Sequence, residues 1–288
     1  MTVPSVSFEF FPPQNLGASF RLWDTVQVLS PLAPRFVSVT YGAGGTTRDL
    51  TRDAVATLHK NAGLNVAAHL TCVNATREET LAIADSFAEA GVTEIVALRG
   101  DPPKGTGKFA PHPEGFAHSV ELIEALAVKD KFTIRVGAYP ERHPDAADEA
   151  ADIDYLKRKL DAGASEAITQ FFFETETFLR FRDRCAAAGI TAPIVPGILP
   201  IENWKGMRKF AAGCGANIPA WLDEAFDKAA RDDRQDLLAT ALCTEMCTDL
   251  LSEGVESLHF YTLNRPELTR DVCHALGVTP DVRLENVA

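Results

Sequence analysis

The strongest constraint on this chain is a repeated alternation. Short runs of β-branched and aromatic residues are each followed by a longer stretch of helical periodicity. Strands are predicted at Ser5–Phe10, Phe36–Thr40, Asn65–Leu70, Glu94–Leu98, Thr133–Ala138, Glu166–Thr169, Ile194–Gly197 and Ser257–Phe260. Helices are predicted at Ser19–Leu29, Thr47–Ala62, Arg77–Ala90, Glu114–Ala127, Ala146–Ala162, Thr175–Ala188, Ile201–Ala211 and Asp233–Glu253, with an extra helix pair around Pro219–Ala230. Ala62-Gly63, Ala90-Gly91, Ala162-Gly163 and Ala188-Gly189 each stand where a helix should stop, because glycine enters the left-handed conformation cheaply. No composition break or linker divides the series. The pattern therefore predicts one domain over residues 1–288, an α/β fold closed as a single (β/α)8 barrel (TIM barrel).

The competing architecture is an open, doubly wound sheet, which usually carries GxGxxG after its first strand. Here the first strand runs into Phe11-Pro12-Pro13, and the cluster Gly42-Ala43-Gly44-Gly45 has Thr47 where the third glycine is required. The fingerprint fails.

Apolar residues make up 46% of the chain and charged residues 24%, enough for a large core. The net charge of -12 argues against nucleic acid or an anionic membrane as partner, since both attract basic surfaces. No apolar stretch approaches the ~20 residues of a membrane span, and the N-terminus lacks the basic start and apolar run of a signal peptide. A soluble cytoplasmic protein is expected. The 6 cysteines (72, 185, 214, 243, 247 and 273) contain no CxxC pair and are read as reduced thiols. Cys243 and Cys247 could face each other on a helix, but no ligand-spaced histidine accompanies them, so buried small side chains are the preferred reading.

In a closed barrel the chemistry belongs at the C-terminal strand ends. Glu9 sits inside the apolar run SFEFF; if Phe8 and Phe10 point one way, Glu9 points the other. A carboxylate buried in a strand must be paired or functional, and desolvation would push its pKa toward that of a general acid. His69 ends strand three. Strand four ends Leu98-Arg99-Gly100-Asp101, where the glycine permits close backbone approach, and a loop at Lys104–Pro113 could act as a lid or be ordinary surface. Tyr139 to His143 end strand five. Gln170, after strand six, carries an amide able to donate to and accept from a heterocycle edge, and a following phenylalanine could wall a ring. Arg265, past strand eight, suits a carboxylate. No serine or cysteine nucleophile–base pair, HExxH, P-loop or strand-borne lysine accompanies them. A mouth that binds rings but brings little chemistry of its own invites a redox cofactor.

Eleven segments together carry a resemblance: SFEFFPP at 7–13, FVSVTYGAGG at 36–45, HLTC at 69–72, IVALRGDPP at 95–103, AYPERHP at 138–144, DYLKRKLDAGA at 154–164, AITQFFFE at 167–174, FRDRCAAAGI at 181–190, PIVPGILPI at 193–201, IPAW at 218–221 and HFYTLNR at 259–265. In this order, over essentially the whole chain, they resemble the bacterial methylenetetrahydrofolate reductases. That resemblance implies non-covalently bound FAD, NADH or NADPH as electron donor, and reduction of 5,10-methylenetetrahydrofolate to 5-methyltetrahydrofolate for methionine synthesis by a ping-pong route. It implies a homodimer or homotetramer, and a chain without the regulatory domain of eukaryotic relatives. Carried over by position, Glu9 is the expected general acid and Asp101 the carboxylate near flavin and folate. Gln170 would bind the pterin edge, Phe210 would stack on either substrate, and Arg265 would lie near the folate tail. The FAD residues implied are Thr40, His69, Leu98, Arg99, Gly100, Asp101, Ala117, Tyr139, His143, Asp152 and Lys159, with Arg99, His143 and Lys159 at its ribityl and phosphate region. Two departures stand out: the Thr106–Gly115 loop is longer and richer in proline than the pattern, and Phe116 replaces a tyrosine, removing one hydroxyl from the implied pocket. Two other readings remain: a different flavin-barrel activity, such as an amine or proline dehydrogenase, and a non-catalytic folate- or flavin-binding protein.

Overall fold

The computed structural model describes residues 3–42, 48–101 and 109–280. Among them, nine parallel strands alternate with helices: β1 (Ser5–Phe10), β2 (Val37–Val39), β3 (Val66–Thr71), β4 (Glu94–Leu98), β5 (Thr133–Ala138), β6 (Glu166–Thr169), β7 (Ile194–Val195), β8 (Gly197–Ile198) and β9 (Ser257–Tyr261). Each strand pairs with its sequence neighbours from β1 to β7, while β1 also pairs with β9 and β9 with β8. The barrel closes through β7 and β8. They are two halves of one barrel strand, broken at Pro196, whose nitrogen has no proton to give a ladder. The Pro196 carbonyl still accepts from His259 N at 3.0 Å, and Gly197 N donates to Thr169 Oγ1 at 2.9 Å. The seventh strand predicted as one run is thus bent about its proline, pairing β6 with its first half and β9 with its second.

The helices are α1 (Leu16–Leu29), α2 (Arg48–Ala62), α3 (Arg77–Glu89), α4 (Ser119–Ala127), α5 (Glu149–Asp161), α6 (Thr175–Ala187), α7 (Trp204–Gly213), α8 (Ala220–Arg231), α9 (Gln235–Ser252) and α10 (Glu267–Ala275). Side-chain caps fix several starts: Asn15 accepts from Ala18 N, Asp148 from Ala151 N and Asn203 from Gly206 N, and Thr76 with Glu79 forms a reciprocal capping box. Gly63, Gly91, Gly163 and Gly189 all take positive φ, as their positions after helices require. The expected helix pair at 219–230 is a single helix, α8, and α10 was not anticipated. Helix α4 starts at Ser119 rather than Glu114; at Gly115 the chain is in a turn, its N–H donating to the His112 carbonyl at 2.8 Å.

Two-residue periodicity sorts the strand side chains into two cores. Val6, Phe8, Phe10, Val37, Val39, Leu70, Ile95, Val136, Leu258 and Phe260 face the helices in the main core. Phe36, Ala67, Val96 and Ile168 form a second, separate cluster within the barrel, with Leu98 packed against it. Below this plug lies a buried charged floor, in which Glu166 pairs with both Arg35 (2.8 Å) and Arg135, and Arg135 also pairs with Glu94. The Arg135 guanidinium lies 3.8 Å from the Phe36 ring centre. Above the plug, the same inward positions become polar. No helix among the described residues is long and apolar enough to cross a membrane.

Candidate active site at the barrel mouth

Glu9 follows the strand parity that the sequence dictates: Phe8 and Phe10 are buried in the outer core, and Glu9 turns into a cavity of about 300 Å3 at the C-terminal ends of the strands. Its Oε2 lies 3.4 Å from His69 Nε2 and 4.0 Å from His259 Nε2. Ser7, two residues earlier on the same face, holds the far side of the His259 ring, with Oγ 2.8 Å from Nδ1. Burial holds the His69 pKa below the ordinary imidazole value, although the Glu9 charge opposes this. Glu9 therefore has imidazole rings as neighbours instead of the internal lysine or arginine that a purely structural carboxylate would need. Its backbone carbonyl is fixed too, accepting from Thr262 Oγ1 at 2.6 Å.

Asp101, Gln170 and Phe210 line this same cavity. Gln170 Oε1 accepts from Phe171 N at 3.0 Å, which leaves the NH2 end of the amide to donate to a ligand. Phe210 is 39% exposed and stacks on Phe171 with centroids 5.8 Å apart and planes 24° from parallel. The back wall is Tyr261, whose hydroxyl donates to the Thr169 carbonyl at 2.6 Å and whose pKa burial pushes well up. Gly197 admits that ring: a Cβ there would lie 2.5 Å from Tyr261 Cε2 and 2.1 Å from Thr169 O.

Two neighbouring hollows extend the cavity. One, of about 450 Å3, is bounded by Thr40, His69, Leu98, Gly100 and Asp101, all shared with or adjoining the Glu9 cavity. The other, of about 370 Å3, shares Leu98, Gly137 and Tyr139 with it and runs outward past Arg99, His143, Asp152 and Lys159. The outer lobe carries both signs of charge, Arg99 and Lys159 facing Asp145 and Asp152. Lys159 is buried, donates to the Gly137 carbonyl, and has its pKa lowered to about 8 by desolvation, with Asp152 opposing. His143 is lowered by burial and then by the nearby Arg99 charge. Asp152 accepts from His143 N at 2.8 Å and Arg99 pairs with Asp145 at 2.8 Å. A buried ammonium whose charge the fold opposes is a fitting partner for an anion, so this donor set suits a phosphate-bearing cofactor.

Ala117 stands apart from these walls, its N–H directed at Glu121, while its neighbours His118 and Ser119 do line the outer lobe. Phe116 is fully buried under the Arg77 guanidinium. Arg265 occupies an adjoining groove with Glu202, 3.3 Å away. Residues 102–108, including the first half of the Lys104–Pro113 loop, and the glycine cluster at 43–45 lie outside the described residues. Sequence reasoning passed over Ser7, His259 and Tyr261, whose convergence depends on the β1–β9 register, and Tyr155 of the outer lobe. All six cysteines are unpaired thiols; burial pushes Cys72 and Cys273 up to about 12.

The sequence profile of the methylenetetrahydrofolate reductases matches residues 2–277. The chain belongs to the methylenetetrahydrofolate reductase family. It is 47% identical over 277 residues to the 5,10-methylenetetrahydrofolate reductase of Escherichia coli, covering 96% of this chain and 92% of that one. A Pectobacterium carotovorum protein of the same name is 47% identical over 279 residues, with the same coverage. Methylenetetrahydrofolate reductase (NADH) 1 of Arabidopsis thaliana is 37% identical over 96% of this chain but 49% of its own length. Among solved structures, a Clostridium thermocellum protein described as binding two copies of 5-methyl-5,6,7,8-tetrahydrofolic acid superposes with a TM-score of 0.59 at 13% identity, covering 96% of this chain and 95% of that one, which establishes likeness of fold.

Proposed function

We propose that the protein reduces 5,10-methylenetetrahydrofolate to 5-methyltetrahydrofolate, with non-covalently bound FAD and with NADH or NADPH as donor. The observation that carries the reading is the position of Glu9: an inward carboxylate, 16% exposed, opening on the cavity that also holds Asp101, Gln170 and an aromatic stack. Arg99, His143 and Lys159 would hold the phosphate and ribityl portion of FAD, and Thr40, His69, Leu98, Gly100 and Asp101 its ring end. Bound there, FAD would supply the two-electron chemistry that no side chain of this mouth can, the relay of hydride between nicotinamide and folate.

The chain's own contribution is acid–base and positional. Glu9 donates a proton to N10 of the folate as the bond from N10 to the methylene carbon breaks, leaving an electrophilic N5-iminium carbon that receives the hydride as N5-methyl. The proton leaves Glu9 as a carboxylate whose Oε2 lies 3.4 Å from His69 Nε2, with His259 Nε2 farther off at 4.0 Å. Gln170 donates to the pterin edge, and Phe171 with Phe210 supplies the flat apolar wall for a ring. Nicotinamide and folate would occupy this cavity in turn, each against the same Phe171–Phe210 wall.

The test separates the two halves by stopped-flow. In Glu9→Gln, flavin reduction by NADH should persist at near the wild-type rate. Flavin reoxidation by methylenetetrahydrofolate should fall by ~10²–10⁴-fold, the usual loss on removing a general acid. Equal damage to both halves would refute an acid role for Glu9. Steady-state kinetics requiring both substrates bound together would refute alternation in one cavity.

A further inference from the structure

One residue outside the implied set bears on how a long substrate lies across this mouth. Phe11, the first residue beyond β1, is 38% exposed and borders the Glu9 cavity, the hollow beside Thr40 and Asp101, and the groove of Arg265. Among the described residues it is the one that lines all three. With Phe210 and Leu263, which line both the Glu9 cavity and the Arg265 groove, it stands between the place where a heterocycle meets Glu9 and the place where an anionic tail meets Arg265.

Phe11 lies outside the strand ladder, yet its backbone is held at both polar atoms. Phe11 N donates to Asn264 Oδ1 at 2.9 Å, and Asn264 Nδ2 donates to Phe11 O at 2.9 Å. The carboxamide thus does for Phe11 what a neighbouring strand does for β1. Asn264 reaches it through an unusual backbone: Leu263 and Asn264 both take the left-handed conformation, at φ 50° and 54°. Two consecutive left-handed residues other than glycine are costly, and such strain persists where the surroundings enforce it. Thr262 supplies the enforcement, accepting from Asn264 N at 3.2 Å while its hydroxyl donates to the Glu9 carbonyl. The tip of β9 therefore clamps residues 9 and 11 together.

We infer that Asn264 is a positioning residue, which fixes the Phe11 ring as the apolar edge that the aromatic linking segment of the substrate crosses between Glu9 and Arg265. The inference rests on the folate reading above and adds a determinant of substrate length and shape to it.

Asn264→Gly isolates the contribution, since glycine keeps the left-handed backbone at little cost while removing both hydrogen bonds. In the FAD-loaded protein, hydrogen exchange at the Phe11 amide should accelerate at least ~10-fold while the Phe8 amide stays protected, as expected for release of a locally held loop. The Kd for 5-methyltetrahydrofolate, by equilibrium dialysis, should rise about tenfold, the scale of two neutral hydrogen bonds. FAD affinity should not move. In the Phe11→Ala background the same Asn264→Gly change should add nothing to the folate Kd, because its effect passes through the ring. Asn264→Asp, which can accept from Phe11 N but cannot donate to Phe11 O, should fall between wild type and Asn264→Gly. Unchanged Phe11 exchange, or full additivity with Phe11→Ala, would overturn the inference. Wild-type protein that binds no folate would overturn the folate reading and this one together; folate binding by wild type and Asn264→Gly alike would overturn this one alone.

Discussion

Lys159 gives the sharpest quantitative test of the outer lobe. Its ammonium is buried, and its pKa of about 8 against an ordinary 10.5 means that the folded protein opposes the charge. The difference corresponds to roughly 3 kcal/mol of destabilisation at neutral pH. The hydrogen bond to Gly137 O and the approach to the Tyr155 ring, 5.4 Å from its centre, return roughly 1–2 kcal/mol of that. Lys159→Met, close in length and apolar, should therefore stabilise flavin-free protein by about 1–2 kcal/mol at pH 7, a rise in Tm of roughly 2–3 °C for a chain of this size. The sign with pH follows from linkage. Because the folded pKa is depressed, the destabilisation is fully present below about 8 and shrinks from there toward the unfolded value of 10.5. Near pH 9.5 about 1.4 kcal/mol remains, which the lost contacts cancel, so the advantage of the variant should vanish there. The same substitution should weaken FAD binding by roughly 10–100-fold, the worth of one charge-assisted phosphate contact. FAD affinity of the wild type should be greatest below pH 8 and decline above it as the free amine deprotonates. Calorimetry of flavin-free wild type and variant at pH 7 and 9.5, with flavin titrations alongside, makes the comparison. A variant less stable than wild type at both pH values, with unaltered FAD affinity, would refute the reasoning.

Two further substitutions test the frame that carries the mouth. Gly197→Ala should lose roughly 3 kcal/mol or more, because its Cβ would meet the Thr169 backbone oxygen and the Tyr261 ring, neither of which can move without opening the barrel closure; an unchanged urea midpoint would contradict this. Glu166→Gln should cost about 3–5 kcal/mol in urea unfolding, since it removes one of the two carboxylates paired with the buried Arg135 as well as the Arg35 pair. A loss below 1 kcal/mol would mean that the floor charges are solvated rather than paired.

The strand series was legible because parallel barrel strands are short apolar runs between helices, and the direction of Glu9 followed from parity alone. Pro196 was in plain view but the run Ile194–Gly197 reads as continuous; only the pairing of its two halves to different neighbours exposes the break. The charged floor escaped because attention went to strand ends, although Glu94, Arg135 and Glu166 are anomalous within apolar runs and their signal was available. The group around Glu9 was legible only in part. His69 ends its strand conspicuously, but Ser7 and His259 are 252 residues apart, and nothing local tells that their side chains share a hydrogen bond. Arg265 reads as a strand-mouth cation, while its groove and its pairing with Glu202 depend on how α7 docks.

The inward positions explain why a carboxylate can be kept at this depth. From the N-terminal end upward, they run from paired charges (Glu94, Arg135, Glu166) through the apolar plug (Phe36, Ala67, Val96, Ile168) to the polar mouth (Glu9, His69, Gln170, His259). Phe36 joins all three levels, with the Arg135 guanidinium 3.8 Å from its centre on one side and the His259 ring stacked 5.7 Å away and 19° from parallel. The apolar plug separates the floor cations from Glu9. A mouth with Glu9 beside imidazoles and a floor with arginines beside glutamates are thus two settings for buried charge in one barrel, separated by a single apolar layer.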